Sequence, residues 1–177
     1  MTARGQIIIF TDLDGTLLNG SYSFATAEPA LREIAEQAIP LVLCSSKTRK
    51  EIEHYRDKLG NSRPFISENG GGIFIPEGYF PDESVFERYS PVTENGYRLI
   101  RLGIPYHELR MAVGNLRERG FPITGFGDLS TEELIELTGL PPEEALLCKE
   151  RDFDEPFLFH GDEGKKEALF RAIRDSG

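Results

Sequence analysis

"IIIFTDLDGTLLN", residues 7–19, decides how this chain is read. The apolar run of "QIIIF" at 6–10 has the pattern of a strand buried on both faces in a parallel sheet, and Asp14-Gly15 supplies turn chemistry just after it. Between run and turn stand Asp12 and Asp14, with one residue separating them. Alternate residues of an extended segment point the same way, so both carboxylates reach one side of the strand's end. Held close, they repel and raise each other's proton affinity, which calls for a cation nearby or a catalytic use.

Working outward, the pattern alternates. "TAEPALREIAEQA" offers Thr26 as an N-cap, a proline in the first turn, and Leu31, Ile34, Ala35 and Ala38 at helical spacing. "IPLVLCSS" repeats the short apolar run and ends in hydroxyls, and "KTRKEIEHYRDKLG" is a charged amphipathic helix stopped by Gly60. "RPFISENGGGIFIP" gives a third strand, a glycine-rich turn and a strand able to return as a hairpin. Strand, helix, strand, helix, strand predicts an α/β fold on a doubly wound parallel sheet.

Around 77–96 the composition shifts to Pro, Glu, Ser, Asn and Gly, the mark of a linker or irregular crossing. We therefore expect residues 1–82 to form the N-terminal part of the α/β core and 83–177 a smaller α+β domain. The latter reads as "YRLIRLG" (strand), "PYHELRMAVGNLRERG" (helix) and "FPITGFG" (strand), then "STEELIELTGL", a helix opened by a Ser130–Glu133 capping box. "PPEEALLCKERD" (helix), "EPFLFHG" (strand) and "DEGKKEALFRAIRDSG" (helix) complete it.

Composition narrows the partners. With 39% hydrophobic and 28% charged residues the chain is globular rather than disordered or fibrous. Its net charge of −10 argues against nonspecific nucleic-acid or anionic-membrane binding, which needs a basic face, and points toward divalent cations. Cys44 and Cys148 lack C-x-x-C spacing, His54, His107 and His160 lack metal spacing, and no apolar run approaches the ~20 residues that cross a bilayer. The expected setting is cytoplasmic.

Ligands of open α/β sheets bind at the carboxyl ends of the strands. Three polar clusters follow the three apolar strands and should converge there: Asp12 and Asp14, Ser45 to Lys47, and Glu68 to Gly72. A carboxylate with Mg²⁺ beside it can attack phosphorus, and a second carboxyl can protonate the leaving oxygen and later activate water. Two readings stand for the other clusters. Ser45 and Lys47 either cap a helix and lie in its solvated first turn or meet a phosphate; Gly70, Gly71 and Gly72 either form a turn or let the backbone approach a ligand, with Asn69 the stronger candidate there.

"DLDGT" after an apolar strand resembles the first motif of the haloacid dehalogenase superfamily, in its aspartate-nucleophile phosphatase branch. The resemblance implies Asp12 as nucleophile and metal ligand, Asp14 as acid/base whose carbonyl also meets Mg²⁺, and Thr16 as a supporting hydroxyl. Ser45 matches the second motif, a hydroxyl that hydrogen-bonds the phosphoryl group, with Ser46 beside it. "SSKTRKE", "SENGGGIF", "GFGDLS", "ELTGL" and "RDFDEPF" together resemble the mannosyl-3-phosphoglycerate phosphatase group. That group adds an α/β cap to a Rossmann-like core and dephosphorylates a glycosyl phosphoglycerate, which makes a phosphorylated sugar or glycerate the expected small-molecule substrate. Lys47, Asn69 and Gly70 are then phosphate or substrate contacts, and Asp128, Arg151, Asp154 and Glu155 either read sugar hydroxyls and a carboxylate or form loop salt bridges. The third-motif lysine and fourth-motif acidic cluster are expected beyond Gly177. Two alternatives accompany this reading: "FLFHGDEGKK" as a fourth motif, with Asp162 a metal ligand and Lys165 or Lys166 on phosphate, or a catalytically silent chain that binds sugar phosphate or metal.

Overall fold

Strands β1 (Ile9–Thr11), β2 (Leu41–Cys44) and β3 (Phe65–Ser67) lie side by side and parallel, with Phe10 opposite Val42 and Cys44 opposite Ile66. Parallel neighbours need a crossover, and α1 (Glu28–Glu36) and α2 (Arg49–Leu59) supply the two connections. The computed structural model describes residues 7–176. They divide into two units, one ending at Leu102 and one beginning at Gly103.

The α/β core expected from sequence is present, with a difference in its second half. After β3 the chain turns tightly through Glu68–Gly70, too short a connection for a crossover, and β4 (Gly72–Pro76) returns antiparallel with Phe65 opposite Phe74. β5 (Val92–Glu94) and β6 (Tyr97–Arg101) extend the sheet antiparallel, in the order β1-β2-β3-β4-β6-β5. The sheet is therefore mixed. β6 pairs with β4 from Gly72–Arg101 to Pro76–Tyr97, so the boundary expected at 82/83 falls inside the first unit. The Pro- and Gly-rich stretch is a loop pinned to that sheet by Phe86, which packs on Ile75 and Ile100, and by the Arg98–Glu83 ion pair at 2.8 Å.

Two further expectations change. β1 stands at the sheet edge with Ile7, Ile8 and Phe10 exposed, because among the described residues it pairs with β2 alone; the run is not buried on both faces. Thr26 does not cap α1. The cap position is Ala27, without a side-chain cap, and the Phe24 carbonyl accepts the amides of Ala27 and Glu28 at 2.7 and 3.0 Å. α2 is fully capped: Thr48 and Glu51 form a reciprocal capping box, and Gly60 ends the helix at φ 60°, where a side chain would be strained.

An aromatic stack joins these elements. Phe65 and Phe74 lie parallel with centroids 4.9 Å apart, and Tyr97 meets them edge-on at 5.4 and 5.7 Å. Arg56 covers Phe65 at 4.7 Å while donating to the Tyr97 hydroxyl (2.9 Å) and the Arg63 carbonyl (2.7 Å).

The second unit comprises α3 (Tyr106–Glu118), β7 (Ile123–Gly125), α4 (Thr131–Thr138), α5 (Pro142–Leu147), β8 (Phe157–Phe159) and α6 (Glu163–Asp175). β7 and β8 pair antiparallel, and Val113, Leu116, Ile123, Leu169 and Ala172 form a core cluster. The Ser130–Glu133 capping box opens α4 as expected. Asp162 is the N-cap of α6, accepting from the Lys165 amide at 2.9 Å, and Lys166 pairs with Glu163 at 3.2 Å. "FLFHGDEGKK" is thus a strand and a capped helix start, which gives Asp162 a structural role in place of the fourth-motif reading. No helix among the described residues is long and apolar enough to cross a membrane.

Phe65 is fully buried between ring, ring and guanidinium. Phe65→Ala should therefore destabilise the protein by about 3–5 kcal/mol. Urea or guanidinium denaturation measures this; a loss below about 1 kcal/mol would show that the stack does not hold the sheet together.

Candidate active site

Beyond β1 the chain folds into a tight loop held by its own backbone. The Leu13 carbonyl accepts the amides of Thr16 and Leu18 at 3.3 and 2.8 Å, and the Gly15 amide donates to the Leu18 carbonyl at 3.0 Å, with Gly15 at φ 68°. Leu13, Leu17 and Leu18 are buried and anchor this loop, which leaves Asp12, Asp14 and Thr16 exposed on its outer side. The Asp12 Oδ1 accepts the Leu13 amide at 2.7 Å.

The register that sets Thr11 opposite Leu43 puts Asp12 level with the end of β2. There Ser45, Lys47 and Thr48 are buried, and Ser46 is exposed. Lys47 Nζ lies 3.3 Å from Asp14 Oδ2 and 3.2 Å from Glu51 Oε1, with the rings of Tyr22 and Tyr55 at 5.3 and 5.6 Å. Burial pulls the Lys47 pKa down, but the Glu51 carboxylate and then Asp14 more than offset it, holding the ammonium above the usual lysine value. Burial first, and the Asp12 charge second, push the Cys44 thiol up, which favours its protonated form.

The third cluster is tied to the second. Glu68 and Asn69 donate their amides to the carbonyls of Lys47 and Ser45 at 3.1 and 3.2 Å, and Ser45 donates its amide to the Ile66 carbonyl at 3.1 Å. Glu68, Asn69 and Gly70 all take positive φ (49°, 56° and 97°), a conformation that costs non-glycine residues about 1–3 kcal/mol and persists where the surroundings over-determine it. Gly70 thus serves first as a turn former. The structure brings Asp14 to Lys47, and Ser45 and Lys47 to the Glu68–Asn69 turn. Thr16 contributes its amide to the β1 loop.

The sequence reading missed Glu51, although "TRKE" at 48–51 carries the T-x-x-E spacing of a capping box. Among the described residues no group of three or more His, Cys, Asp or Glu could hold a metal ion. Mg²⁺, however, is commonly held by one or two carboxylates completed by waters and substrate phosphate. The exposed Asp12 and Asp14 supply that donor set, and the residues present fit the ion.

In the second unit "GFGD" forms a dense ionic cluster. Asp128 pairs with Arg110 and Arg117 and accepts the Gly125 amide at 2.7 Å. The Glu155 side chain is buried, pairs with Arg110 and accepts the Gly127 amide at 3.1 Å. Arg151 pairs with Asp154 and lies 5.7 Å from the Phe126 ring. A Cβ on Gly125 would stand 2.8 Å from Arg110 Nη1, and one on Gly127 2.5 Å from the Tyr106 hydroxyl, so a side chain at either position makes these side-chain ends shift. Burial and the facing Glu155 carboxylate push Tyr106 up to about 12. Arg110 and Arg117 were not anticipated; their spacing of two helical turns on α3 was the available signal.

The parallel β1-β2-β3 frame with an acidic pair at its carboxyl edge defines a haloacid dehalogenase-like fold. Residues 9–92 match the haloacid dehalogenase-like hydrolase family. Solved structures show the same fold: a haloacid dehalogenase-like hydrolase from B. subtilis superposes with a TM-score of 0.55 at 19% identity, covering 94% of this chain and 66% of that one. A protein from Thermotoga maritima gives 0.54 at 15% identity, covering 94% and 61%. In sequence, the chain is similar to a glucosyl-3-phosphoglycerate/mannosyl-3-phosphoglycerate phosphatase from Persephonella marina, 44% identical over 162 residues, or 91% of this chain and 58% of the relative. A protein of the same name from Methanococcoides burtonii is 44% identical over 173 residues (96% and 62%). A mannosyl-3-phosphoglycerate phosphatase from Pyrococcus horikoshii is 38% identical over 162 residues (92% and 64%). The chain spans less than two thirds of the length of these relatives.

Gly127→Ala should lower the melting temperature and loosen Tyr106 and Arg110, whereas Gly164→Ala, whose Cβ meets nothing closer than 3.4 Å, should leave it unchanged or raised. Equal melting temperatures for Gly127→Ala and the unsubstituted protein would show that the cluster yields freely. Tyr106 keeps its proton in the folded state up to about 12 but loses it near 10 when unfolded, so the unfolded state binds fewer protons between these values. Stability should fall as pH rises across that window, and less steeply in Tyr106→Phe; parallel stability curves for the two proteins would contradict the assignment.

Proposed function

We propose that the protein is a Mg²⁺-dependent phosphomonoester hydrolase working through an aspartyl-phosphate, with a glycosyl-3-phosphoglycerate or related sugar phosphate as substrate. The observation that carries this reading is the juxtaposition at the carboxyl edge of two parallel strands: Asp12 and Asp14 after β1, Ser45 and Lys47 after β2, with Lys47 Nζ 3.3 Å from Asp14. The phosphatase names of relatives 44% identical to the chain support it and suggest the substrate class.

Asp12 Oδ1 is committed to the Leu13 amide, which leaves Oδ2 to attack. The new bond forms between Oδ2 and phosphorus, and the phosphorus–oxygen bond to the sugar or glycerate breaks. The leaving oxygen keeps the electron pair and takes a proton from Asp14. A water then gives a proton to Asp14 and attacks phosphorus, which releases inorganic phosphate and restores the Asp12 carboxylate. Ser45 and the Lys47 ammonium face the phosphoryl oxygens, with Ser46, Asn69, Gly70 and Thr16 around them. Asp12 and the Asp14 carbonyl would hold Mg²⁺, whose contribution is to neutralise charge on the phosphoryl oxygens. In the second unit, which takes the part of a cap, Asp128, Arg151 and Glu155 serve substrate selection, their ion pairs with Arg110, Arg117 and Asp154 presetting their orientation.

Asp12→Asn should lower phosphate release from glucosyl- or mannosyl-3-phosphoglycerate by more than about a thousandfold. EDTA should abolish it until Mg²⁺ is restored. Undiminished turnover in the Asn variant would end this reading.

A further inference from the structure

We propose that Glu51 is a positioning residue for this site: it holds the Lys47 ammonium beside Asp14, where the transferring phosphoryl group arrives. The inference rests on the phosphatase reading above and adds to it the group that fixes its cation. Glu51 is 2% exposed, and its two carboxyl oxygens have separate partners. Oε2 accepts the Thr48 amide at 2.9 Å, which completes the capping box of α2, and Oε1 accepts from Lys47 Nζ at 3.2 Å. A capping box needs one oxygen acceptor and no charge, since glutamine serves equally well. Burying a carboxylate is costly unless a cation faces it. The charge of Glu51 is therefore accounted for by Lys47 rather than by the helix.

Lys47 needs such an anchor. Its flexible four-carbon stem bears a point charge with three rotatable donors, and fixing that charge at one place costs rotamer entropy. In this chain the stem is buried, with the Tyr22 and Tyr55 rings on the ammonium and Asp14 as the other carboxylate on it. Tyr22 itself sits at φ 55°, strained backbone for a bulky residue and retained beside the site. Asp14 is the exposed partner and Glu51 the buried one, so Glu51 stays in place when a phosphoryl group arrives.

The test is a double-mutant cycle read by isothermal titration with inorganic phosphate in the presence of Mg²⁺ and by kcat on the sugar phosphate. Glu51→Gln keeps the cap acceptor but turns an amide NH₂ toward Lys47; it should weaken phosphate binding and lower kcat by about tenfold each, with Tm shifted by no more than about 3 °C. In a Lys47→Met background the same change should alter phosphate binding by less than about twofold, because the group to be positioned is gone. Thr48→Ala removes the hydroxyl that accepts the Glu51 amide at 3.2 Å without touching Lys47. It should lower Tm yet leave phosphate affinity within about twofold. The proposal is overturned by wild-type phosphate binding in Glu51→Gln, by a loss carried in full into the Lys47→Met background, or by Thr48→Ala reproducing it. Failure of the unsubstituted protein to hydrolyse any sugar phosphate would sink the phosphatase reading alone, and the phosphate-binding cycle would still decide the role of Glu51.

Discussion

Two carboxylates on alternate residues at a strand end repel each other, and the cation that meets one of them, Asp14, comes from just beyond the neighbouring strand. Lys47 reaches Asp14 at 3.3 Å from the first residues beyond β2, and it does so while almost wholly removed from solvent. A buried ammonium is tolerable only with carboxylates around it, so Asp14 on one side and Glu51 on the other are required by the same desolvation cost. The rest of the corner follows from that requirement. Parallel pairing of β1 with β2 brings the acidic loop alongside, the capping box fixes the start of α2, and the Glu68–Asn69 turn is laced by backbone hydrogen bonds onto Ser45 and Lys47.

The second unit uses charge differently. Its ionic cluster is internal: Arg110 spans Asp128 and Glu155, Arg117 doubles on Asp128, and the amides of Gly125 and Gly127 donate to these carboxylates. A methyl at Gly125 would crowd Glu155 and Arg110, and one at Gly127 would crowd Tyr106 and Arg110, so the bare backbone lets these side chains pack as they do. The result is a set of polar side chains with defined directions rather than a mobile polar surface. Selective recognition depends on such preset polar groups, because a donor or acceptor left unpaired by the wrong ligand is heavily penalised.

Much of this was readable from local pattern. The acidic pair, the hydroxyl end of β2, the Gly60 stop, the hairpin through the glycine run and the Ser130–Glu133 cap each depend on a few neighbouring residues, and each is found in the structure. What local pattern could not supply was pairing across distance. The antiparallel half of the sheet, the attachment of residues 97–101 to β4, and the edge position of β1 are decided by which strand finds which partner, and a composition shift at 77–96 carries no such information. Thr26 failed as a cap because the Phe24 carbonyl already served the first amides. Arg110 and Arg117 were overlooked because helix-borne arginines are ordinarily solvated, and only the fold turns these two toward Asp128.

In the proposed reaction Asp12 is the nucleophile in phosphoryl transfer, and Asp14 only moves protons. Acid quenching of the protein during steady-state turnover of the sugar phosphate, followed by mass-spectrometric mapping of the peptide that carries residues 7–19, tests this most directly. A single phosphoryl adduct on Asp12, absent from Asp14, is expected. Phosphate release with no adduct on this peptide, or with the adduct on another residue, would contradict it.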